Sequence, residues 1–203
     1  VMSGDQLRRH EPCFKPQIVG AAHYTDSRFV SPNKFMAGLA ERVRGMGVEF
    51  NTKGEVRRLN ASGGRFSGVE LADGRTINGD TAVLAAGVWT TELAKSIGVI
   101  VPMQAGKGYH VNLTAPDPCP TISCVLNETF VAVNPMNGGL RLAGTVELSG
   151  INHNMIQRRV DMLSERARNY LHGIEKTQIQ SSWCGLRPCT ADGLPVIGWS
   201  PGL

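Results

Sequence analysis

The sequence predicts an α+β fold in which an antiparallel or mixed sheet, crossed by a long helix, is joined to part of a parallel sheet. The first indication is a series of short alternating strands separated by glycine, proline or asparagine turns. The second is residues 156–171, where apolar side chains recur every three or four positions, as on one face of a helix. The third is residues 82–86, which are apolar on both faces, as expected of a strand buried in a parallel sheet.

The first part of the chain predicts one helix among short strands. Residues 17–24 are typical of a short apolar strand. A helix follows, with Ser31 as its N-cap and Pro32 at its first position. Its apolar residues recur at spacings of three or four from Phe35 to Met46, and Gly47 ends it. Short strands are predicted next at residues 48–50, 55–59, 66–71 and 75–77.

The second part of the chain is predicted to be rich in antiparallel strands. The buried strand at residues 82–86 stops at Gly87, and residues 89–98 predict a short helix. Beyond Pro102 the sequence pattern changes to one rich in β-strands. The long helix at residues 156–171 has Asn154 as a candidate cap and Gly173 as its end. The predicted strands of this part lie at residues 108–113, 121–126, 129–134, 140–145 and 178–184.

The composition is that of an ordinary globular protein and excludes several other classes. Hydrophobic residues make up 41% of the 203 and charged residues 19%, so disorder is excluded. The net charge of +4 comes from dispersed basic pairs, and aromatic residues are 6%, which argues against nucleic-acid binding. The longest apolar run, residues 82–89, is far shorter than the ~20 residues of a membrane-spanning helix. The sequence therefore predicts no transmembrane segment.

The first residues and the cysteines indicate a reducing compartment. Residues 1–5 lack the basic and then apolar pattern of a secretory signal. Five cysteines, an odd number, favour free thiols over a disulfide framework. Cys119 with Cys124, and Cys184 with Cys189, have a spacing that suggests zinc, but this spacing places two sulfurs on opposite faces of a straight strand. We therefore expect a cytoplasmic protein with free cysteines and no metal.

No motif for phosphate binding or for the common hydrolytic reactions is complete. Residues 45–47 and 106–108 begin as the dinucleotide-binding glycine motif does, but Phe50 and Val111 stand where its third glycine belongs. The sequence also has no P-loop, no nucleophile elbow and no zinc-protease motif. The residues alone therefore predict a globular domain without an evident catalytic constellation.

One arginine stands out, Arg187 in the segment WCGLRPCTADGLPVIG. It directly precedes Pro188, which favours an extended backbone, and it follows a predicted strand. A guanidinium held at the end of a strand can bind a carboxylate through two parallel hydrogen bonds. The alternative is a salt bridge to a local carboxylate such as Asp192, and these residues alone favour that alternative.

Four segments, taken in their order and spacing, resemble the FAD-dependent amino-acid oxidoreductases of the D-amino acid oxidase superfamily, most closely the D-amino acid dehydrogenases. They are KFMAGLAERVRGMGVEF, DTAVLAAGVWTTELAKSIGVIVPMQAGKGYHVNL, LRLAGTVELSG and WCGLRPCTADGLPVIGWSPGL. The similarity runs from about Gly20 to Gly202. In this family a dinucleotide-binding βαβ unit precedes the matching part and a glycine-histidine-glycine segment follows it. Neither is present and Val1 is not an initiator methionine, so the resemblance implies an internal fragment.

The resemblance implies two substrate-binding residues. The arginine of the family's GLRP motif binds the substrate carboxylate, and this position is Arg187. Tyr109, in GKGYH, faces the substrate side in similar proteins, where it hydrogen-bonds the carboxylate or gates entry. The alternative is a half-buried tyrosine with its hydroxyl in water. The resemblance implies no catalytic acid or base.

The resemblance also implies the cofactor FAD in the complete protein, with six residues near it. The backbone at Val56 meets the adenine end, and Ala86 and Gly87 let the cofactor approach the main chain. Each of these residues also has an ordinary structural role as the alternative. Val56 is then a valine of a strand, Ala86 and Gly87 form a strand-to-helix turn, and Trp89 caps the core. The six residues are Val56, Ala86, Gly87, Trp89, Gly193 and Pro195.

The implied organisation has a substrate-binding domain from residues 1–30 and 99–182, and part of an FAD-binding domain from residues 31–98 and 183–203. The implied reaction transfers hydride from the α-carbon of a D-amino acid to flavin, and the imino acid then hydrolyses to a 2-oxo acid and ammonia. Two alternatives remain: a related glycine- or sarcosine-type amine oxidase, and a folded fragment that holds no flavin and has no activity.

The partners implied by the resemblance are a small amino acid and a quinone or other electron acceptor, with dehydrogenase favoured over oxidase. We expect the protein in the cytoplasm, with peripheral association with the inner membrane as the alternative.

Overall fold

The computed structural model describes residues 1–136 and 138–200, which form two compact units. The first unit contains Val1–Phe35 and Lys107–Gly185. The second contains Met36–Gly106 and the described residues from Leu186 onward. The assignment of particular segments to a substrate domain and an FAD domain stays a prediction.

The regular elements alternate between short strands and helices along the chain. Helical turns of the 3-10 type lie at Gly87–Trp89 and Ile174–Lys176. In chain order the elements are β1 (Met2–Ser3), α1 (Gly4–His10), β2 (Gly20–Ala21), α2 (Pro32–Arg44), β3 (Val56–Ser62), β4 (Arg65–Leu71), β5 (Thr76–Asn78), α3 (Thr90–Lys95), β6 (Met103–Thr114), β7 (Cys124–Leu126), β8 (Val131–Met136), β9 (Gly139–Glu147), α4 (Gln157–Arg168) and β10 (Ile179–Thr190).

A five-stranded sheet with the order β10-β6-β9-β8-β7 forms the centre of the first unit. Its pairs β6–β9, β8–β9 and β7–β8 are antiparallel, and in this register Leu142 lies opposite both Val111 and Val133. Because side chains alternate along a strand, one face of the sheet is apolar and buried. Helix α4 covers this face with Val160 and Leu163, which are at most 1% exposed. The predicted α+β class with antiparallel sheets is confirmed.

Helix α1 was not predicted, although its N-terminus carries a recognisable signal. Ser3 and Gln6 form a capping box: the Ser3 hydroxyl accepts from the Gln6 N–H at 3.3 Å, and Gln6 Oε1 accepts from the Ser3 N–H at 2.8 Å. The helix has only seven residues, so its apolar period is too short to detect. Leu7 fixes it to the core of the first unit.

The second unit contains the predicted meander of short antiparallel strands in the order β3-β4-β5. Helix α3 is joined to this sheet by Ser96, whose hydroxyl accepts from the Leu59 N–H at 3.0 Å and lies 2.6 Å from the Leu93 carbonyl oxygen. The hydrophobic residues buried in the described part of this unit are Leu59, Leu71, Val88, Ala94 and Ala105.

Of the strands predicted in the first half of the chain, one is shorter than predicted and two do not form, each for a local reason. Of residues 17–24 only Gly20–Ala21 is a strand, because its partner β1 has only two residues. Residues 48–50 are not a strand, because the Val48 N–H donates to the Val43 carbonyl and completes the end of α2. Residues 82–86 are not a strand either, because no described strand pairs with them.

The three predicted helices form as α2, α3 and α4, with differences at the ends and on one face. Helix α2 begins at Pro32, and the turn that follows it contains Gly47, whose φ of +87° is left-handed. The helix contains no buried residue. Helix α4 has Ile156 rather than Asn154 at its N-cap. Strand β10 runs through the GLRP segment to Thr190, beyond the predicted end at residue 184.

No helix among the described residues is both long and apolar enough to cross a membrane. All five cysteines are free thiols. Burial raises the pKa of Cys13 and of Cys124 to about 12, with the nearby Glu11 carboxylate adding to the effect. These two thiols therefore stay protonated and pack as small apolar groups. Among the described residues, no group of three or more His, Cys, Asp or Glu side chains could hold a metal ion.

Replacing Gly144 with alanine should destabilise the first unit. A Cβ there would lie 2.7 Å from the Phe130 carbonyl oxygen and 3.0 Å from Cδ2 of Leu163. We expect Gly144→Ala to lower the free energy of unfolding by about 1 to 3 kcal/mol, the usual cost of overpacking. The control is Gly38→Ala on α2, where a Cβ meets no atom within 4 Å. Equal melting temperatures for the two variants would contradict this packing.

Candidate functional site

Arg187 lies on β10, within the second unit, with its side chain exposed. The extended backbone predicted from Pro188 is present, since the strand continues on both sides of this pair. Among the described residues the guanidinium has no hydrogen bond and no ion pair. All five N–H donors of this side chain are therefore free for a ligand.

The alternative partner of Arg187, Asp192, is engaged elsewhere. Its Oδ1 accepts a hydrogen bond from the Leu194 N–H at 3.1 Å. This bond lowers the pKa of the Asp192 carboxyl. Asp192 thus has the turn-forming role expected from its sequence context, and the salt bridge to Arg187 is not formed.

The predicted flavin-loop residues Gly193 and Pro195 lie in the turn that follows β10, and both are exposed. The Gly193 N–H donates to the Thr190 carbonyl at 3.3 Å, and the φ of Gly193 is +75°, a conformation that favours glycine. The Thr190 hydroxyl donates to the Leu194 carbonyl at 2.8 Å. These bonds fix the shape of the turn that follows Arg187.

The other predicted flavin contacts also belong to the second unit. Ala86, Gly87 and Trp89 form a turn in which Gly87 has a φ of +56° and begins a single 3-10 turn. A Cβ built on Gly87 would meet no atom within 4 Å, so the backbone is open on that side. Trp89 is 48% exposed and does not cap the core. Val56 is half-buried at the start of β3, opposite Leu71.

Tyr109 differs from the other predicted residues, because it lies in the first unit and is completely buried. Its hydroxyl donates to Glu147 Oε2 at 2.6 Å and accepts from the Ile156 N–H at 3.4 Å. Burial raises the pKa of this phenol, and the hydrogen bond to Glu147 adds to the rise. The tyrosine therefore stays neutral with its one proton committed to Glu147.

A buried lysine, Lys107, is the centre of a polar cluster that no sequence motif predicted. Its side chain is 1% exposed, and Nζ lies 2.8 Å from Asn152 Oδ1, 2.8 Å from the Asn154 carbonyl oxygen and 3.2 Å from Glu147 Oε1. All three ammonium protons therefore have acceptors. We call Lys107, Tyr109, Glu147 and Asn152 the buried polar cluster.

The signal for this cluster was present in the alternation of β6. Lys107 has the same parity as Tyr109 and Val111, and it therefore projects from the buried face of the strand. A lysine at such a position needs an acceptor, because an unpaired buried charge is strongly unfavourable. The acceptors are Glu147, at the end of β9, and Asn152 and Asn154 in the segment that follows it, and no spacing rule connects that segment to β6.

Glu147 is the anion of this cluster, and its hydrogen-bond partners set its pKa. Hydrogen bonds from Tyr109, first, and then from Ser149 and Lys107 lower its pKa from 4.5 to about 2. Arg159 Nε, at 3.5 Å from Oε2, adds a second cation. The carboxylate therefore stays ionised throughout the neutral range.

Sequence comparison places the chain in a family of flavin enzymes. Residues 1–203 match the family DAO, FAD dependent oxidoreductase, and the chain belongs to this family. The class is therefore that of FAD-dependent oxidoreductases. More particularly, the chain is 32% identical over 197 residues to the D-amino acid dehydrogenase of Dechloromonas aromatica (strain RCB). That match covers 91% of this chain and 47% of the relative, so the chain spans about half the relative's length.

Solved structures support the same fold. The glycine oxidase of Bacillus cereus ATCC 14579 superposes with a TM-score of 0.89 at 22% identity, over 99% of this chain and 55% of that one. The glycine oxidase of Geobacillus kaustophilus gives 0.89 at 24% identity, over 98% and 54%. These identities establish the shared fold.

The depressed pKa of Glu147 predicts a specific loss of stability in acid. A carboxylate with a lowered folded-state pKa stabilises the fold above its ordinary pKa, and that contribution disappears as the pH falls through the folded value. The window here runs from 4.5 down to about 2. We expect Glu147→Gln to unfold more easily than the unmodified chain at neutral pH, with the difference shrinking as the pH falls below 4.5.

The measurement is the midpoint of urea unfolding as a function of pH. The matched control is Glu165→Gln, an exposed position on α4 with no ion pair or hydrogen bond to the described residues. Its difference from the unmodified chain should stay small and constant. A Glu147→Gln difference that is equally small at neutral pH would show that the cluster contributes no stability.

Proposed function

We propose that this chain is the substrate-binding part of an FAD-dependent oxidoreductase that oxidises D-amino acids. The observation that carries the proposal is the exposed guanidinium of Arg187, which has no partner among the described residues. A planar fork of N–H donors suits a carboxylate in a bidentate arrangement. The similarity to a protein named D-amino acid dehydrogenase supports the substrate class.

The second unit offers positions that fit a flavin. The open side of Gly87 allows a planar group to approach the main chain where a side chain would stand. The proposed contacts are Ala86, Gly87 and Trp89 for the ring system and the backbone of Val56 for the adenine end. Gly193 and Pro195 are proposed to shape the loop near the ring. The pyrophosphate has no glycine-rich cradle in this sequence, so affinity for FAD from these residues alone should be weak.

The proposed mechanism asks for orientation rather than for acid-base chemistry. Arg187 holds the substrate carboxylate, which fixes the position and direction of the neighbouring α-carbon. FAD, when bound, supplies the acceptor for the hydride of that carbon. Neutralisation of the carboxylate by the guanidinium also offsets the cost of removing a charged group from water. No side chain needs to be assigned as acid or base.

Tyr109 enters this proposal only in a secondary role. Its hydroxyl proton is held by Glu147 at 2.6 Å. A hydrogen bond from the phenol to a substrate carboxylate would require that bond to break and would leave Glu147 with one donor fewer. We therefore assign the carboxylate to Arg187 and leave the predicted gating or supporting contact to Tyr109.

The finer identity of the enzyme rests on its substrate and its electron acceptor. We propose a dehydrogenase that passes electrons to a quinone or another acceptor, in the cytoplasm or at the periphery of the inner membrane. A glycine- or sarcosine-type amine oxidase is the alternative, because it would use the same arginine for the same carboxylate. Oxygen consumption with D-alanine, glycine and sarcosine, measured against reduction of a soluble quinone, distinguishes the two.

The role of Arg187 predicts a selective loss of carboxylate binding. We expect Arg187→Met to weaken the binding of D-alanine by about 2 to 5 kcal/mol, the usual cost of removing one partner of a desolvated charge pair. Arg158→Met, an exposed arginine on α4 with no described partner, is the control and should bind unchanged. Calorimetric titration of the complete, flavin-loaded enzyme carrying each substitution gives both affinities. Equal affinities for the two variants would contradict the assignment of Arg187 as the residue that binds the substrate carboxylate.

A visible spectrum decides between an active chain and a folded fragment without flavin. If the chain retains FAD, the purified protein shows the flavin absorption bands, and D-alanine bleaches them in the absence of oxygen. The alternative is a folded fragment without flavin. In that case the protein stays colourless after incubation with excess FAD, while its circular dichroism shows a folded chain. A coloured protein bleached by glycine but not by D-alanine would favour the amine oxidase.

A further inference from the structure

The outer face of the five-stranded sheet, opposite the face that α4 covers, carries an arginine, Arg141. Its neighbours Leu140 and Leu142 are at most 1% exposed in the core, so the arginine projects from the other face of β9. The guanidinium has no ion pair with any described residue. Strands β6, β7, β8 and β10 contain no Asp or Glu, and the one acid of β9, Glu147, belongs to the buried polar cluster. The sheet therefore offers this cation no anion on its outer face.

A row of hydrogen bonds across three strands holds the Arg141 side chain in place. Arg141 Nε donates to Asn112 Oδ1 at 2.8 Å, and Asn112 Nδ2 donates to Ser181 Oγ at 2.8 Å. Asn112 lies directly opposite Arg141 in the pairing of β6 with β9. The centroid of the Trp183 ring is 5.8 Å from Arg141 Cζ, which is within the range of a cation–π contact. Because the side chain is already ordered, it loses little conformational entropy when a ligand binds.

The donors that remain on Arg141 and Ser181 are available to a ligand. The terminal nitrogens of Arg141 have no acceptor among the described residues, since its printed hydrogen bond uses Nε alone. Ser181 Oγ accepts from Asn112, and its own hydroxyl proton has no acceptor in the described part of the chain. Both residues line a groove of about 120 Å³.

Other arginines of the first unit use their terminal nitrogens to hold the fold together. Arg8 Nη1 donates to the carbonyl oxygens of Pro16 and Ile18 at 3.2 and 3.1 Å. Arg166 Nη1 donates to the Thr129 carbonyl at 3.0 Å and so ties α4 to the start of β8. The terminal nitrogens of Arg141 make no such contact with the described residues, so the fold does not need them.

We propose that Arg141, held by Asn112, is the anchor of a binding site for the carboxylate of a small molecule, with the Ser181 hydroxyl as a second donor. The planar fork of terminal N–H groups matches the two oxygens of a carboxylate. The proposal goes beyond the proposed function, because all of its residues lie in the first unit and it holds whatever Arg187 binds.

The charge of the site favours a carboxylate over a phosphate. Within the first unit the strands of the sheet contain one other Lys or Arg, Lys107, and its protons are committed to the buried polar cluster. The site therefore supplies one unit of positive charge, which neutralises one carboxylate. A phosphate monoester carries about two negative charges at neutral pH and would stay only half neutralised.

The test is an NMR titration of the ¹⁵N-labelled chain with sodium acetate at constant ionic strength. The reporters are the indole N–H of Trp183 and the backbone amide of residue 141, which every variant retains. We expect a saturable shift of both signals with acetate and no saturable shift with chloride. A response to acetate that does not saturate, or that chloride reproduces, would overturn the proposal.

Two substitutions and a matched control make the test specific. We expect Arg141→Lys to weaken acetate binding by about tenfold or more, because lysine keeps the charge but loses the planar fork. Asn112→Asp should also abolish binding, because it places a carboxylate beside Arg141 Nε while the arginine stays in the chain. Arg158→Met, which removes one exposed positive charge from α4, should leave the affinity unchanged. Circular dichroism checks that each variant folds.

Three further outcomes would overturn the proposal. They are equal acetate affinity in Arg141→Lys and the unmodified chain, an equal loss in Arg158→Met, and tighter binding of inorganic phosphate than of acetate. Arg187→Met should retain the acetate shift, whereas D-alanine binding to the complete enzyme tests Arg187 separately. Failure here and failure of the proposed function are therefore distinguishable.

Two sources of the carboxylate share this chemistry, a free small acid and the side chain of a dicarboxylic amino acid. The complete enzyme distinguishes them through the ratio of its KM for D-glutamate to its KM for D-alanine. If the carboxylate belongs to the substrate, Arg141→Met raises this ratio by about tenfold or more, the factor that 1.4 kcal/mol of lost binding produces. If the ligand is a free acid, the ratio stays constant while acetate binding is lost.

Discussion

The burial of one lysine is a strong constraint on the fold of the first unit. Lys107 projects from the core face of β6, where an unpaired ammonium would be strongly unfavourable. Its acceptors are Glu147 at the end of β9, and Asn152 and Asn154 in the segment that leads into α4. The need to pair this charge therefore fixes the path of the chain between the sheet and the helix that covers it.

The two chemically important cations of the chain are held in opposite ways. Lys107 is surrounded by protein acceptors and has no donor left for a ligand. Arg187 is exposed, and among the described residues its guanidinium has no partner. The first arrangement stabilises the fold, whereas the second leaves binding energy available for a carboxylate. Neither the positive charge nor the position on a strand distinguishes the two roles, because both residues are cations on strands.

The two units also differ in how completely they bury their apolar residues. The first has a continuous core between its sheet and helix α4. The second buries Leu59, Leu71, Val88, Ala94 and Ala105, while Val83 and the apolar face of α2 stay exposed.

The sequence by itself determined the α+β class, the antiparallel strands, the long helix α4 and the family, because alternation, helical period and ordered motifs are local properties of the chain. It also singled out Arg187. Only the tertiary structure decided that Asp192 is engaged with Leu194, that Tyr109 is buried against Glu147, and that residues 82–86 form no strand with any described residue. These outcomes depend on partners distant in sequence or on strands from another segment, and no local pattern specifies which groups meet.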